Sequence, residues 1–138
     1  FVILRLYVEK VKEMEFISAE EFLKQNEEIQ KVLFEWWEND CSSYDLITFV
    51  NDKYPRFYCD LEYGENYEGL IPLLTEGQIR RFIEDKTGYK VVLLNNLALP
   101  IEIWLINKDG NRRIFTDKHD VLQAYWKVAI EIAKHETR

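Results

Sequence analysis

IPLLTEGQIRRFIEDKTG, residues 71–88, holds a helix with both its ends. Pro72 fixes its own φ and keeps Ile71 out of helical space, so the chain arrives extended. Thr75 falls at an N-cap position, and Gln78 three residues on completes a capping box. Glu76 suits the positive end of the helix dipole. Ile79, Phe82 and Ile83 recur at i, i+3 and i+4, which is one helical face. Gly88 supplies the left-handed stop after the last turn. Start, buried face and stop agree, so a helix is predicted between Thr75 and Gly88.

Working outward, the charge is uneven. Of 18 Lys and Arg and 25 Asp and Glu in the chain, 11 and 8 lie in residues 80–138 (net +3), which leaves 7 and 17 in residues 1–79 (net −10). No Lys or Arg occurs from Phe57 through Ile79, whereas Asp60, Glu62, Glu65, Glu68 and Glu76 all fall there. This is either ordinary solvated surface or an acidic face suited to a basic partner. A net charge of −7 argues against direct nucleic-acid binding through a general basic field. At 138 residues and 47% hydrophobic, the chain is long enough and apolar enough for one folded domain. Cys41 and Cys59 give neither a disulfide framework nor metal spacing. The apolar start FVIL is broken by Arg5, well short of the roughly 20 residues of a membrane span, and lacks the pattern of a signal peptide.

Residues 1–13 precede the first methionine, Met14, and read as an extension or an edge strand. Ser18-Ala-Glu-Glu21 is a second capping box, and Asn26 restarts a helix that carries Ile29, Val32, Leu33, Trp36 and Trp37. Trp36 and Trp37 read as a core edge or as anchors for a partner. Tyr44 to Val50 fits a short helix capped by Ser42, or a strand; the helix is favoured. Lys53-Tyr-Pro55 is expected to end that element. Arg56 to Tyr63 alternates and predicts a half-buried strand. Past Gly88, Tyr89–Leu94 and Ile101–Ile106 predict two strands. Asp109-Gly110 predicts a hairpin turn, and Arg112–Phe115 a third strand. Thr116 or Asp117 is expected to cap a last helix whose buried stripe is Val121, Leu122, Tyr125, Val128, Ala129 and Ile132, widened by Trp126 and Ile130. The expected fold is a single α+β domain: a C-terminal antiparallel β-meander packed against an amphipathic C-terminal helix, with N-terminal helices covering the rest.

No catalytic constellation emerges. There is no G-x-S-x-G elbow, P-loop or dinucleotide fingerprint. His119-Asp120 lacks the outer ligands of an HD-type metal site, so no metal or other cofactor is predicted. Arg80-Arg81 and Arg112-Arg113 could converge on a small anion such as a nucleotide, or make surface ion pairs.

IPLLTEGQIRRFIEDKTGY, MEFISAEEFLK…IQKVLFEWWE and VLQAYWKVAIEIAK together resemble a family of small uncharacterised proteins encoded by phages and prophages of Gram-positive bacteria. The resemblance covers Met14 to about His135 and carries no catalytic motif. It implies a cytoplasmic protein of an infected or lysogenic host. The expected function is non-catalytic: an accessory protein that binds a host protein, as an acidic inhibitor of a defence or nucleic-acid enzyme. Asp60, Glu62, Glu65 and Glu68, or Trp36 and Trp37, would meet that partner. An anionic-ligand binder and a small enzyme are the alternatives, and a homodimer is compatible with each.

Overall fold

The structure, a computed structural model, describes residues 15–61, 68–95 and 99–137. It is α+β, with two three-stranded antiparallel sheets and a long C-terminal helix. The chain divides into two compact units, Phe1–Thr75 and Glu76–Arg138. Residues 1–13, expected as an extension or edge strand, lie outside the described residues.

In the first unit, α1 (Ala19–Leu23) and α2 (Glu27–Asn39) begin where their caps predict. Ser18 Oγ accepts the Glu21 N–H at 3.2 Å, and Asn26 Oδ1 accepts the Ile29 N–H at 2.8 Å. Each bond satisfies a donor that the first helical turn leaves orphaned. Ile29, Leu33 and Trp37 recur every fourth residue and are buried, forming the apolar stripe of α2.

The helix expected over Tyr44–Val50 is instead a strand, β1 (Leu46–Phe49). It is the centre of a sheet ordered β2-β1-β3, with β2 at Asp52–Phe57 and β3 at Leu70–Pro72. Ser42 and Asp45 close a turn rather than cap a helix: the Asp45 carboxylate accepts the Ser42 N–H at 3.0 Å, and the Asp45 N–H donates to the Ser42 carbonyl at 3.0 Å. Leu46, Ile47 and Thr48 are buried in succession, so both faces of β1 are covered. A strand of that kind has no alternation to reveal it.

The next strand also departs from expectation. The sequence predicts it from Arg56 to Tyr63, with Pro55 as a break. β2 instead runs through Pro55 and ends at Phe57, and a 3-10 turn follows at Tyr58–Asp60. Pro55 is tolerated because β2 is an edge strand and its pairing with β1 shifts between Ile47 and Phe49. At that shift the buried Thr48 hydroxyl donates to the Tyr54 carbonyl at 3.2 Å. Pro72 lies on the opposite edge strand, paired with Ile47.

The second unit begins with the predicted helix, α3 (Glu76–Thr87). Ile79, Phe82 and Ile83 are fully buried, and Gly88 takes φ +73°, which glycine adopts without penalty. A meander follows: β4 (Lys90–Leu94), β5 (Glu102–Asn107) and β6 (Gly110–Phe115), in that spatial order. The hairpin turn falls one residue earlier than Asp109-Gly110, on Lys108-Asp109. Asn107 Oδ1 accepts the Asp109 N–H at 2.8 Å, which starts the turn, and Gly110 becomes the first residue of β6 with φ +149°.

The last helix, α4 (Val121–Glu136), is capped by Asp120 and not by Thr116 or Asp117; its carboxylate accepts the Gln123 N–H at 3.0 Å. Thr116 is buried, and its hydroxyl donates to the Ile101 carbonyl at 2.6 Å. Asp117 is taken by Lys127 at 2.8 Å. Leu122, Tyr125, Trp126, Val128, Ala129 and Ile130 are buried as predicted, with Ala124 and Ala133. Val121 and Ile132 are half-buried. α3 packs along α4, and the Glu84 carboxylate on α3 accepts the Val91 N–H of β4 at 3.1 Å, which protects part of that sheet edge.

Candidate functional site

The alternation of the second sheet decides what it can do. Along β5, Ile103 and Leu105 are buried, with Val91 and Leu93 of β4 and Ile114 of β6 on the same side. The other face carries Lys90, Val92 and Leu94 of β4, then Glu102, Trp104 and Ile106 of β5, then Asn111, Arg113 and Phe115 of β6. Successive strand residues point to opposite sides, so these nine share one surface. It is open: Val92 is 40% exposed, Leu94 44% and Phe115 69%.

Glu102 organises this face. One of its carboxylate oxygens accepts from Trp104 Nε1 at 2.7 Å and from Arg113 Nε at 2.7 Å. The register places Trp104 opposite Arg113 and Glu102 opposite Phe115. The Arg113 guanidinium therefore lies 4.5 Å from the Trp104 ring centroid and 5.5 Å from that of Phe115, within cation–π range of both. Side chains held in this way lose little further freedom when a partner covers them. The face offers an exposed ring, two exposed aliphatic side chains and one oriented cation, Arg113. It has no nucleophile paired with a base.

The residues singled out from sequence are dispersed. Trp37 is only 3% exposed, packed against Phe34 and edge-on to Tyr58. It belongs to the core of the first unit and offers no surface to a partner; its indole N–H has no hydrogen-bond acceptor among the described residues. Trp36 is half-buried. Asp60 closes the 3-10 turn and Glu68 lies in the turn before β3, both exposed. Glu62 and Glu65 lie outside the described residues.

Arg80 and Arg81 are exposed on α3. Burial pushes the Tyr125 hydroxyl above the usual range of a phenol, and Arg80 opposes that rise. Arg112 and Arg113 alternate on β6 and take opposite sides of the sheet, so they do not share one anion pocket.

The remaining polar groups form no centre. His119 and His135 are exposed, and no group of three or more His, Cys, Asp or Glu capable of holding a metal occurs among the described residues. Cys41 and Cys59 are free thiols; burial, with Asp45 nearby, raises the Cys41 thiol. A hollow of about 240 Å³ in the first unit is lined by apolar side chains including Phe16, Leu23, Phe49, Val50 and Leu73. No described helix is long and apolar enough to cross a membrane.

The open face of the second sheet was missed in sequence. Its signal was present: Trp104, Arg113 and Phe115 share parity about the hairpin, so any two-residue turn near Asp109 puts them on one side. The chain matches no family model, no curated protein and no solved structure.

Proposed function

We propose that this chain is a non-catalytic binding module that holds another protein on the open face of β4–β5–β6. The observation that carries the reading is Phe115, 69% exposed on the same open face as Val92 and Leu94 of the opposite edge strand, with Trp104 and Arg113 fixed by Glu102. Contiguous apolar side chains left in water mark interaction surfaces more often than chance placement does. Trp and Arg are also the side chains that dominate binding hot spots. The resemblance to phage and prophage proteins supplies the setting, a host protein met in the bacterial cytoplasm.

The test is capture from nuclease-treated bacterial lysate with the wild-type chain and the Phe115→Ser variant side by side. The expected result is one stoichiometric protein retained by the wild type and lost from the variant. A partner retained equally by both, or no partner on the wild type, overturns the reading.

A further inference from the structure

Resting on that reading, we infer that the occupant of the face is a single amphipathic segment of a partner protein, with an apolar stripe flanked by carboxylates. Size is the first argument. Three strands about 4.8 Å apart span roughly 14 Å, and six residues at about 3.3 Å each run roughly 20 Å, a face of about 300 Å². A stable interface between two globular surfaces needs about 800 Å² from each side, so this face is too small to hold a second copy of the chain. It does match one helix, about 10 Å across with side chains, of which about 14 residues cover 20 Å.

Charge is the second argument. The cations of the face are Lys90 and Arg113, and Lys108 adjoins it in the turn. Its one carboxylate, Glu102, is already paired with Arg113. Lys90 and Lys108 have no ion pair among the described residues, and the chain from residue 80 onward carries net +3. Other acids lie at its margins: Asp109 in the turn, Glu84 on the Val91 N–H at the β4 edge, and Asp117 past β6, which is taken by Lys127. Carboxylates flanking the partner's apolar stripe would meet Lys90 on the β4 side and Lys108 at the turn end. A single-stranded nucleic acid fits less well. The Trp104 ring is already covered by the Arg113 guanidinium, so Phe115 alone is left as a stacking surface, and successive bases need several.

The experiment uses the full chain and three synthetic helical peptides of about 14 residues. The first has a Leu/Phe stripe flanked by Glu; the second replaces every Glu with Lys; the third keeps Glu and replaces the stripe with Ser. Fluorescence anisotropy at low and high salt, with a labelled oligonucleotide in parallel, reads the affinities. The Glu-flanked apolar peptide is expected to bind best. Phe115→Ala should weaken it about tenfold or more, as loss of an anchoring ring does. Lys90→Glu should weaken it several-fold and flatten the salt dependence. Because Phe115 and Lys90 are exposed, both variants should keep the wild-type melting temperature, which separates lost binding from lost folding. The inference is overturned if the Lys peptide or the oligonucleotide binds as well, or if neither substitution matters. It is also overturned if the chain dimerises through Phe115. If no peptide binds but lysate capture still depends on Phe115, this inference falls and the binding-module reading stands. If capture is also indifferent to Phe115, both fall.

Discussion

The two sheets of this chain have the same number of strands and the same antiparallel pairing, yet they spend their surfaces differently. In the first, Leu46, Ile47 and Thr48 of the central strand are buried one after another, as are Leu70, Ile71 and Pro72 of β3. Both faces of β1 and β3 are covered, while on the edge strand β2 Tyr54 is 79% exposed, and each edge strand carries a proline, Pro55 or Pro72, which discourages pairing with another chain. In the second, burial alternates along β5, and the unburied side holds Val92, Leu94, Trp104 and Phe115. A sheet closed on both faces can only hold the fold together. A sheet closed on one face has a second surface free for recognition, and here that surface is apolar and braced by Glu102.

The largest expected effect comes from breaking the closed faces. Ile47 in the first sheet and Ile103 in the second are both fully buried. Ile47→Ala and Ile103→Ala should each cost about 2–5 kcal/mol, read as a shift in denaturant midpoint. Phe115→Ala, on the open side of the same sheet as Ile103, should fall within about 0.5 kcal/mol of wild type. A loss at Phe115 as large as that at Ile103 would mean the open face is covered in solution.

Smaller effects sharpen the contrast. Thr48 is buried at the irregularity between β1 and β2, with its hydroxyl on the Tyr54 carbonyl. Thr48→Val keeps the shape and removes the donor, and should cost about 1–3 kcal/mol. Asp120→Ala removes the cap of α4 and should cost about 1 kcal/mol, seen by thermal melting. Glu102→Gln keeps an acceptor for Trp104 but removes the charge that holds Arg113. Its effect on stability should be about 0–1 kcal/mol, since half-exposed ion pairs contribute little, while binding at the face weakens.

The smallest effect is a pH dependence. The Lys127 hydrogen bond holds the Asp117 carboxyl below its ordinary value. A depressed carboxyl stabilises the fold above its unfolded-state pKa, and that contribution is lost as pH falls through the folded value. Asp117→Asn should therefore make the acid side of the stability profile slightly shallower, measured as melting temperature against pH.

Local signals were legible where they were self-contained. Thr75 and Gly88 bracket α3, Ser18 and Asn26 start α1 and α2, and the Asn107–Gly110 turn joins β5 to β6. Each depends on residues within a few positions of one another. What misled was decided by distant partners. LITF at 46–49 shows no alternation because both its sides are covered, and nothing in so short a run separates it from a helix. Pro55 looks like a break until β2 is known to be an edge. Thr116 looks like a cap until the Ile101 carbonyl claims its hydroxyl. The tryptophans repeat the point: Ile29, Leu33 and Trp37 at fourfold spacing already put Trp37 on the buried stripe and Trp36 beside it. In the second sheet only pairing register brings Trp104, Arg113 and the exposed Phe115 onto one face.

The most direct test of the central claim, that the closed faces hold the fold and the open face holds a partner, is lysate capture by Phe115→Ser with its melting temperature recorded on the same preparation. An unchanged melting temperature with the captured protein lost is the predicted result. The same protein captured at the same stoichiometry by a folded Phe115→Ser variant would contradict it.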